Sequence, residues 1–424
     1  MKFKTILTTF TGLCIAGMGI LMSCSSNKSE LQFIDENIAY AAAQTDLMLK
    51  ATGQPNGKNY PRTMNDKGEL ITTGMYDWTP GFFPGSLWYL YELTGDSLWL
   101  GRAQDWTHSL ERLQTFTGHH DLGFMMYCSY GNALRLAPKP EYNKILARSA
   151  ESLASRFSSK TQSIKSWNYR KAWNDTVEWF YPVIIDNMMN LELLCYGSDV
   201  SGNPSYRNVA ITHANTALKN QFRDDYSSYH VVDYDTITGA VKDQATCQGY
   251  SDNSTWSRGQ AWAIYGYAMM YRETKDQTYL DASQKMAKWY LDRLPVDLVP
   301  LWDFNVGQEG YEPEEKSYAK QFPGETLRDA SAAAIACSAF FELGQWTGNK
   351  IYTEKAIAML HSLASPAYRA PLGTNANFLL EHSVGSIPHI NEIDKPLTYA
   401  DYYFLEALVR YRNLLETGDV FGDK

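Results

Sequence analysis

The chain has 424 residues, 44% hydrophobic and 20% charged, the composition of an ordinary soluble protein. Its formal net charge is −9 and it carries no basic stripe, which argues against a nucleic-acid partner. An anionic ligand would have to be met by cations placed in the site itself.

The amino terminus reads as a targeting segment. Met1-Lys-Phe-Lys4 supplies positive charge, and the apolar run from Thr5 to Met22 is too short for a confident membrane span. It ends at Leu21-Met-Ser-Cys24, which resembles a bacterial lipoprotein cleavage box with Cys24 as the lipidated residue. On that reading 1–23 is a signal peptide, 24–30 a polar tether and 31–424 a single domain. The protein then sits in a bacterial cell envelope, facing the periplasm or the cell surface. An ordinary secretory signal containing a cysteine is the alternative. Cys128, Cys195, Cys247 and Cys337 are scattered, with no C-x-x-C pair and no zinc spacing.

Amphipathic helical patterns then recur. They cover Leu31 to Ala51, Pro80 to Thr94 (Thr79 as N-cap), Ser97 to Phe116, Phe124 to Leu136, Glu141 to Phe157 and Val183 to Tyr196. They continue through Tyr206 to Phe222, Trp256 to Arg272 (Ser254 or Thr255 as cap), Gln277 to Leu294, Leu327 to Trp346, Ile351 to Ala364 and Tyr399 to Leu415. A weak repeat punctuates them at Leu93–Trp99, Gly202–Tyr206, Glu273–Tyr279 and Thr347–Tyr352. Each copy closes one helix and opens the next, as in an αα-hairpin. Six such hairpins, about twelve helices, can close into an all-α (α/α)6 barrel; an open solenoid is the competitor. The remaining junctions are long: Gln54–Trp78, Ser158–Pro182, Arg223–Thr255, Pro295–Thr326 and Ser365–Thr398. Long loops in a compact domain are usually functional, so they should share one end and rim one pocket. Tyr226 to Val241 alternates as a small hairpin would, with Thr238-Gly239 near its turn.

Asp186 is the leading candidate for chemistry. It lies in Pro182–Leu194, apolar on nearly every side, with Asn187 and Asn190 following on one strip of an expected helix. A carboxyl in such surroundings is either hydrogen-bonded structure or an acid with a raised pKa. Asp121, in Gly118–Phe124, is either a helix cap or a second working carboxyl. The adjacent His119 and His120 lack the geometry of a metal site, and no metal is expected. The densest polar and aromatic stretch is Cys247–Trp262. There Arg258 and Trp262 share a helix face and offer a fork for a carboxylate and a ring for stacking, with Gln248 nearby. Trp78, Trp167, Trp173, Trp179, His230 and the His382–His389 segment populate the long loops.

Five stretches carry a resemblance to glycoside hydrolase family 88, the unsaturated glucuronyl hydrolases: 78–88, 119–124, 184–191, 248–262 and 400–408. The resemblance implies an (α/α)6 barrel and a substrate ending in a 4,5-unsaturated uronic acid, the product of a polysaccharide lyase. It implies hydration of the ring's vinyl ether, after which the hemiketal falls apart. By position Asp186 matches the acid/base and Asp121 its partner carboxylate. Trp78, His120, Trp173, His230, Gln248, Arg258 and Trp262 match pocket positions, and Ser383 and Ser386 are candidates near the substrate carboxylate. No metal or organic cofactor is implied. An unsaturated rhamnogalacturonyl hydrolase of the same fold, and a non-catalytic lipid-anchored glycan-binding protein, are the alternatives.

Overall fold

The computed structural model describes residues 10–172, 177–314, 317 and 326–422, with side chains from residue 27 onward. Twelve α-helices are present among them: α1 (Phe10–Thr52), α2 (Phe82–Thr94), α3 (Ser97–His108), α4 (Asn132–Leu136), α5 (Pro140–Ala154), α6 (Leu191–Ser201), α7 (Pro204–Asn220), α8 (Ser257–Thr274), α9 (Gln277–Leu291), α10 (Ala330–Thr347), α11 (Lys350–Leu363) and α12 (Thr398–Thr417). A π-helix over Gly123–Gly131 runs directly into α4.

The weak sequence repeat has a precise conformational meaning. α2, α6, α8 and α10 end on left-handed residues, Gly95, Gly202, Lys275 and Gly348. The next residue in each case is Asp96, Asn203, Asp276 or Asn349, whose side chain accepts an N–H from the first turn of the following helix. One residue stops a helix and the next starts its antiparallel neighbour. The even-numbered helices form an inner ring in which α12 packs back against α2, so the array closes as a barrel and the open solenoid is excluded. α8 and α10 are buried along nearly their whole length, as helices enclosed on every side must be. The odd-numbered helices bury one stripe and make the outer layer.

The long junctions carry short antiparallel pairs: β1 (Tyr60–Met64) with β2 (Leu70–Thr73), β3 (Phe157–Ser158) with β4 (Ser163–Ile164), and β5 (Arg170–Lys171) with β6 (Glu178–Trp179). β7 (Pro182–Ile184), β8 (Val231–Tyr234) and β9 (Val241–Ala245) form one sheet with β8 central. β8 and β9 are the expected hairpin, turning through Gly239 at φ 78°.

Several expectations need correction. The segment from Val183 is not helical: β7 leads into a 3-10 turn over Ile185–Asn190, and α6 begins only at Leu191. Val183-Ile184-Ile185 is β-branched throughout, and pairing with β8 outweighs the all-round apolar pattern that also suits a buried helix. Gly81, not Thr79, precedes α2, and the Thr79 hydroxyl bonds Asp77 instead. Neither Ser254 nor Thr255 caps α8; Ser254 Oγ donates to Asp303.

Candidate active site

Asp186 stands at the exit of β7, in the first turn of the 3-10 segment. Asp121 stands just before the π-helix. One clamp joins the two segments: Asn190 Oδ1 accepts the Phe124 N–H at 3.0 Å. Gly123 is required there, because a Cβ would lie 2.5 Å from Asn190 Cα. Both carboxyls are only 7% exposed.

Their environments push them apart. Asp186 is raised to about 7, first by burial and then by the charge of Asp121; Arg258 and the Trp262 indole pull the other way and lose. Burial also acts to raise Asp121, but His120, the hydrogen-bonded His119 and Arg156 together hold it below its ordinary value. His119 Nδ1 and His120 Nε2 lie 3.1 and 3.2 Å from its two oxygens. Burial drives His120 down to about 4. At neutral pH its ring is therefore uncharged; Arg156 brings positive charge near Asp121, and the bond to Asp121 raises His119 against burial. Two carboxyls with split pKa values are suited to opposite proton-transfer roles.

His230 faces Asp186, with Nε2 3.7 Å from Oδ2. Its Nδ1 accepts the backbone N–H groups of Cys247 and Gln248 at 3.0 and 3.1 Å. The neutral ring therefore carries its proton on Nε2, pointed at the carboxyl. Asp186 Oδ2, His230 Nε2, His120 Nε2, Asn187 Oδ1, Trp262 Nε1 and Arg258 Nε are buried, and among the described residues none has a hydrogen-bond partner of good geometry. Buried polar atoms are nearly always satisfied, so orphans beside the two carboxyls mark where a polar ligand belongs.

The other expected residues divide. Trp78 is half-buried beside Phe82, Phe124 and Tyr399. Gln248 Nε2 donates to Gly385 O at 3.1 Å. Trp262 is fully buried against Phe124 and Tyr403, so it offers an N–H and no open ring face. Arg258 is not an open fork. It donates to Asp329, Val384 O and Gly385 O at 2.8, 2.5 and 2.7 Å, leaving only Nε unbonded. Ser383 Oγ accepts the Ser331 N–H at the start of α10. Ser386 Oγ is paired with His389 Nδ1 at 2.7 Å. Trp173 lies outside the described residues, and so does the Cys24 side chain. Trp179 is structural, its indole N–H bonding Asp243. The cysteines Cys128, Cys195, Cys247 and Cys337 are free thiols.

Three supporting residues escaped the sequence. Ser166 positions both His120 and the Ile184 N–H. Asp303 fixes the loop before α8 through Tyr250 and Ser254. Asp329 caps α10 while holding Arg258. A cavity of about 970 Å3 is lined by neither Asp121 nor Asp186. It lies among Glu192, Arg272, Glu406 and Arg410, whose charges are already paired.

A closed ring of paired helices carrying two neighbouring buried carboxyls, one raised and one lowered in pKa, is the arrangement of a helical-barrel acid–base enzyme. Comparison with known proteins narrows this. The model of Glycosyl Hydrolase Family 88 matches residues 57–295. The chain is 42% identical over 419 residues to an unsaturated glucuronyl hydrolase of Formosa agariphila, covering 98% of this chain and all of that one. A solved unsaturated glucuronyl hydrolase described as specific for heparin superposes with a TM-score of 0.81 at 41% identity, covering 90% of this chain and 98% of that one. A Streptococcus agalactiae unsaturated glucuronyl hydrolase mutant complexed with dGlcA-GalNAc6S gives 0.72 at 28% identity, covering 89% and 91%. The chain belongs to glycosyl hydrolase family 88.

Proposed function

We propose that this enzyme removes a 4,5-unsaturated uronic acid from the non-reducing end of lyase-generated oligosaccharides, by hydrating the ring's vinyl ether. The observation that carries this reading is the split carboxyl pair: an Asp186 still half-protonated near pH 7 beside an ionised Asp121. Protonating an alkene carbon needs an acid that keeps its proton near neutrality. Asp186 delivers its proton to C4, and positive charge develops across C5 and the ring oxygen. The Asp121 carboxylate stabilises that charge. Water adds to C5 and returns a proton to Asp186, which restores the acid. The C5 hemiketal opens, and the hemiacetal left at C1 releases the neighbouring sugar. His230 Nε2–H points at the Asp186 carboxyl from 3.7 Å, and Trp78 offers its half-buried ring for the flat sugar. Gln248 and Arg258 act by holding the 383–386 loop in place.

Relatives named for heparin and chondroitin disaccharides support a glycosaminoglycan-type substrate. The amino-terminal sequence supports export and lipidation at Cys24, a tether over 24–30, and a place in the cell envelope facing the periplasm or the outside.

The test is the ultraviolet absorbance of unsaturated disaccharides, sulfated and unsulfated. The absorbance should disappear with wild-type protein and persist with Asp186→Asn; persistence with wild type on every substrate would remove the reading. Labelling of the expressed protein with radioactive fatty acid, lost in Cys24→Ala, tests the anchor.

A further inference from the structure

The hairpin that follows α5 carries a pairing that strand pairs avoid. β3 and β4 are matched at Phe157 and Ile164. The next step of that ladder sets Arg156 opposite Lys165. The Lys165 N–H donates to Arg156 O at 3.1 Å, and Arg156 Nε donates to Lys165 O at 2.8 Å. Like charges directly opposite across a strand pair are destabilising. Burial disfavours both cations, and the Arg156 charge disfavours Lys165 further. Neither has a carboxylate at ion-pair distance among the described residues. Arg156 is held by the carbonyls of Lys165, Thr117 and Ser166, and Lys165 rests 5.6 Å from the centre of the Tyr181 ring.

The two side chains line one pocket of about 370 Å3. Thr117, Ser158 and Asn168 also line it and bring hydroxyl and amide groups, and its lining contains no acid. Arg156 uses one N–H from each of its nitrogens on the carbonyls, which leaves one on Nη1 and one on Nη2. The pocket around Arg223, an arginine also held by backbone carbonyls, differs: Asp243, Asp252 and Glu314 line it. Two cations with hydroxyl donors and no carboxylate suit a compact anion, which relieves the repulsion that the ladder imposes.

Arg156 links this pocket to the carboxyl pair. Its Nη2 donates to Ser166 O at 3.3 Å, the carbonyl that also accepts the His120 N–H at 3.1 Å. Its Nη1 donates to Thr117 O, in the segment that leads to Asp121. The titratable groups facing Asp121 are His119, His120, Arg156 and, as a like charge, Asp186. Those facing Arg156 are Asp121, Tyr181 and Lys165, and Lys165 also faces Asp233 on β8. Among them Arg156 both lines the pocket and acts on Asp121. We propose that the pocket is an effector site for a small tetrahedral oxyanion, phosphate or sulfate, held by Arg156 and Lys165 and felt by Asp121 through Arg156. An anion there offsets the Arg156 charge that helps keep Asp121 ionised, so Asp121 takes up its proton at higher pH. The binding stands apart from what the enzyme cleaves; its effect on rate rests on the hydrolase reading above.

Equilibrium dialysis against radiolabelled phosphate, and separately sulfate, at an ionic strength held constant with chloride, measures the site. Wild type should bind one anion per chain. Lys165→Gln should bind it about ten-fold more weakly, and Lys165→Arg should restore binding. Asp186→Asn saturated with an unsaturated disaccharide should bind the anion as wild type does. In kcat/KM against pH, sulfate should move the acid limb upward by about half a unit, and Lys165→Gln should abolish that movement. A wild type that binds neither anion overturns the proposal, and so does unchanged binding in Lys165→Gln. Binding displaced by the disaccharide also overturns it, since the anion then occupies the carboxyl site. An acid limb that stays in place with sulfate bound overturns the link to Asp121. If wild type consumes no unsaturated disaccharide, the hydrolase reading fails and the dialysis still decides the pocket.

Discussion

Asp186 is held in a state the unfolded chain does not share. Its carboxyl titrates near 7 in the fold and near its ordinary 3.8 when unfolded. A raised carboxyl pKa means the folded state binds the proton more tightly, so its contribution is undiminished below pH 4 and declines as pH rises to about 7. Asp186→Asn should therefore stabilise the protein at pH 8, by about 4 kcal/mol at most, and change little at pH 4. Denaturant unfolding at the two pH values measures this. The same substitution should lower kcat by roughly 1,000-fold or more. A stability difference between variant and wild type that is the same at both pH values would contradict the buried-acid assignment. For wild type, kcat/KM should fall above pH 7 as Asp186 loses its proton, and the acid limb should lie below the ordinary carboxylate range because Asp121 is held down. Asp121→Asn removes the like charge that helps raise Asp186, so the alkaline limb of its residual activity should move to lower pH.

The elements that bring these residues together are short and tightly fitted. Gly123→Ala would force a Cβ onto Asn190 Cα and spread the segments carrying the two carboxyls. Overpacking of this kind costs about 1–3 kcal/mol. Because proton transfer needs close placement, activity should fall by about 100-fold while the helical circular dichroism is kept. Rate and spectrum together check this. Helices were legible in the sequence because stop and start signals lie side by side, as at Gly95-Asp96 and Gly348-Asn349. The strand before Asp186 was not legible. Three β-branched residues in an all-apolar run suit a buried strand and a buried helix alike, and only pairing with Val231–Tyr234, some fifty residues away, decides between them. For the same reason Arg258 read as a free fork: its partners Asp329, Val384 and Gly385 are remote in sequence. Asp121, Asp186 and His230 were named through the family resemblance; the structure sets His230 Nε2 3.7 Å from Asp186 and Asp121 near enough for its charge to raise Asp186.

At the scale of the molecule, the barrel ends differ. One end gathers the long loops and the carboxyl pair. The other is filled by paired charges that tie inner helices together: Glu342, fully buried on α10, accepts from Arg272 on α8 at 2.9 Å and lies 3.2 Å from Arg410 on α12. Removing one member of a buried ionic set leaves the others uncompensated, so Glu342→Ala should destabilise the fold by about 3–5 kcal/mol. The pH dependence of kcat/KM should stay where it was, since this set is not the acid–base pair. A shifted pH profile would mean that the two ends are electrostatically coupled. The central claim concerns the order of bond changes at the other end. In one reaction followed in heavy water, loss of the double-bond absorbance and release of the leaving sugar can be timed together, with the product examined by NMR. The account predicts that absorbance is lost no later than sugar is released and that deuterium is found at C4. Sugar release that runs ahead of double-bond loss would contradict it.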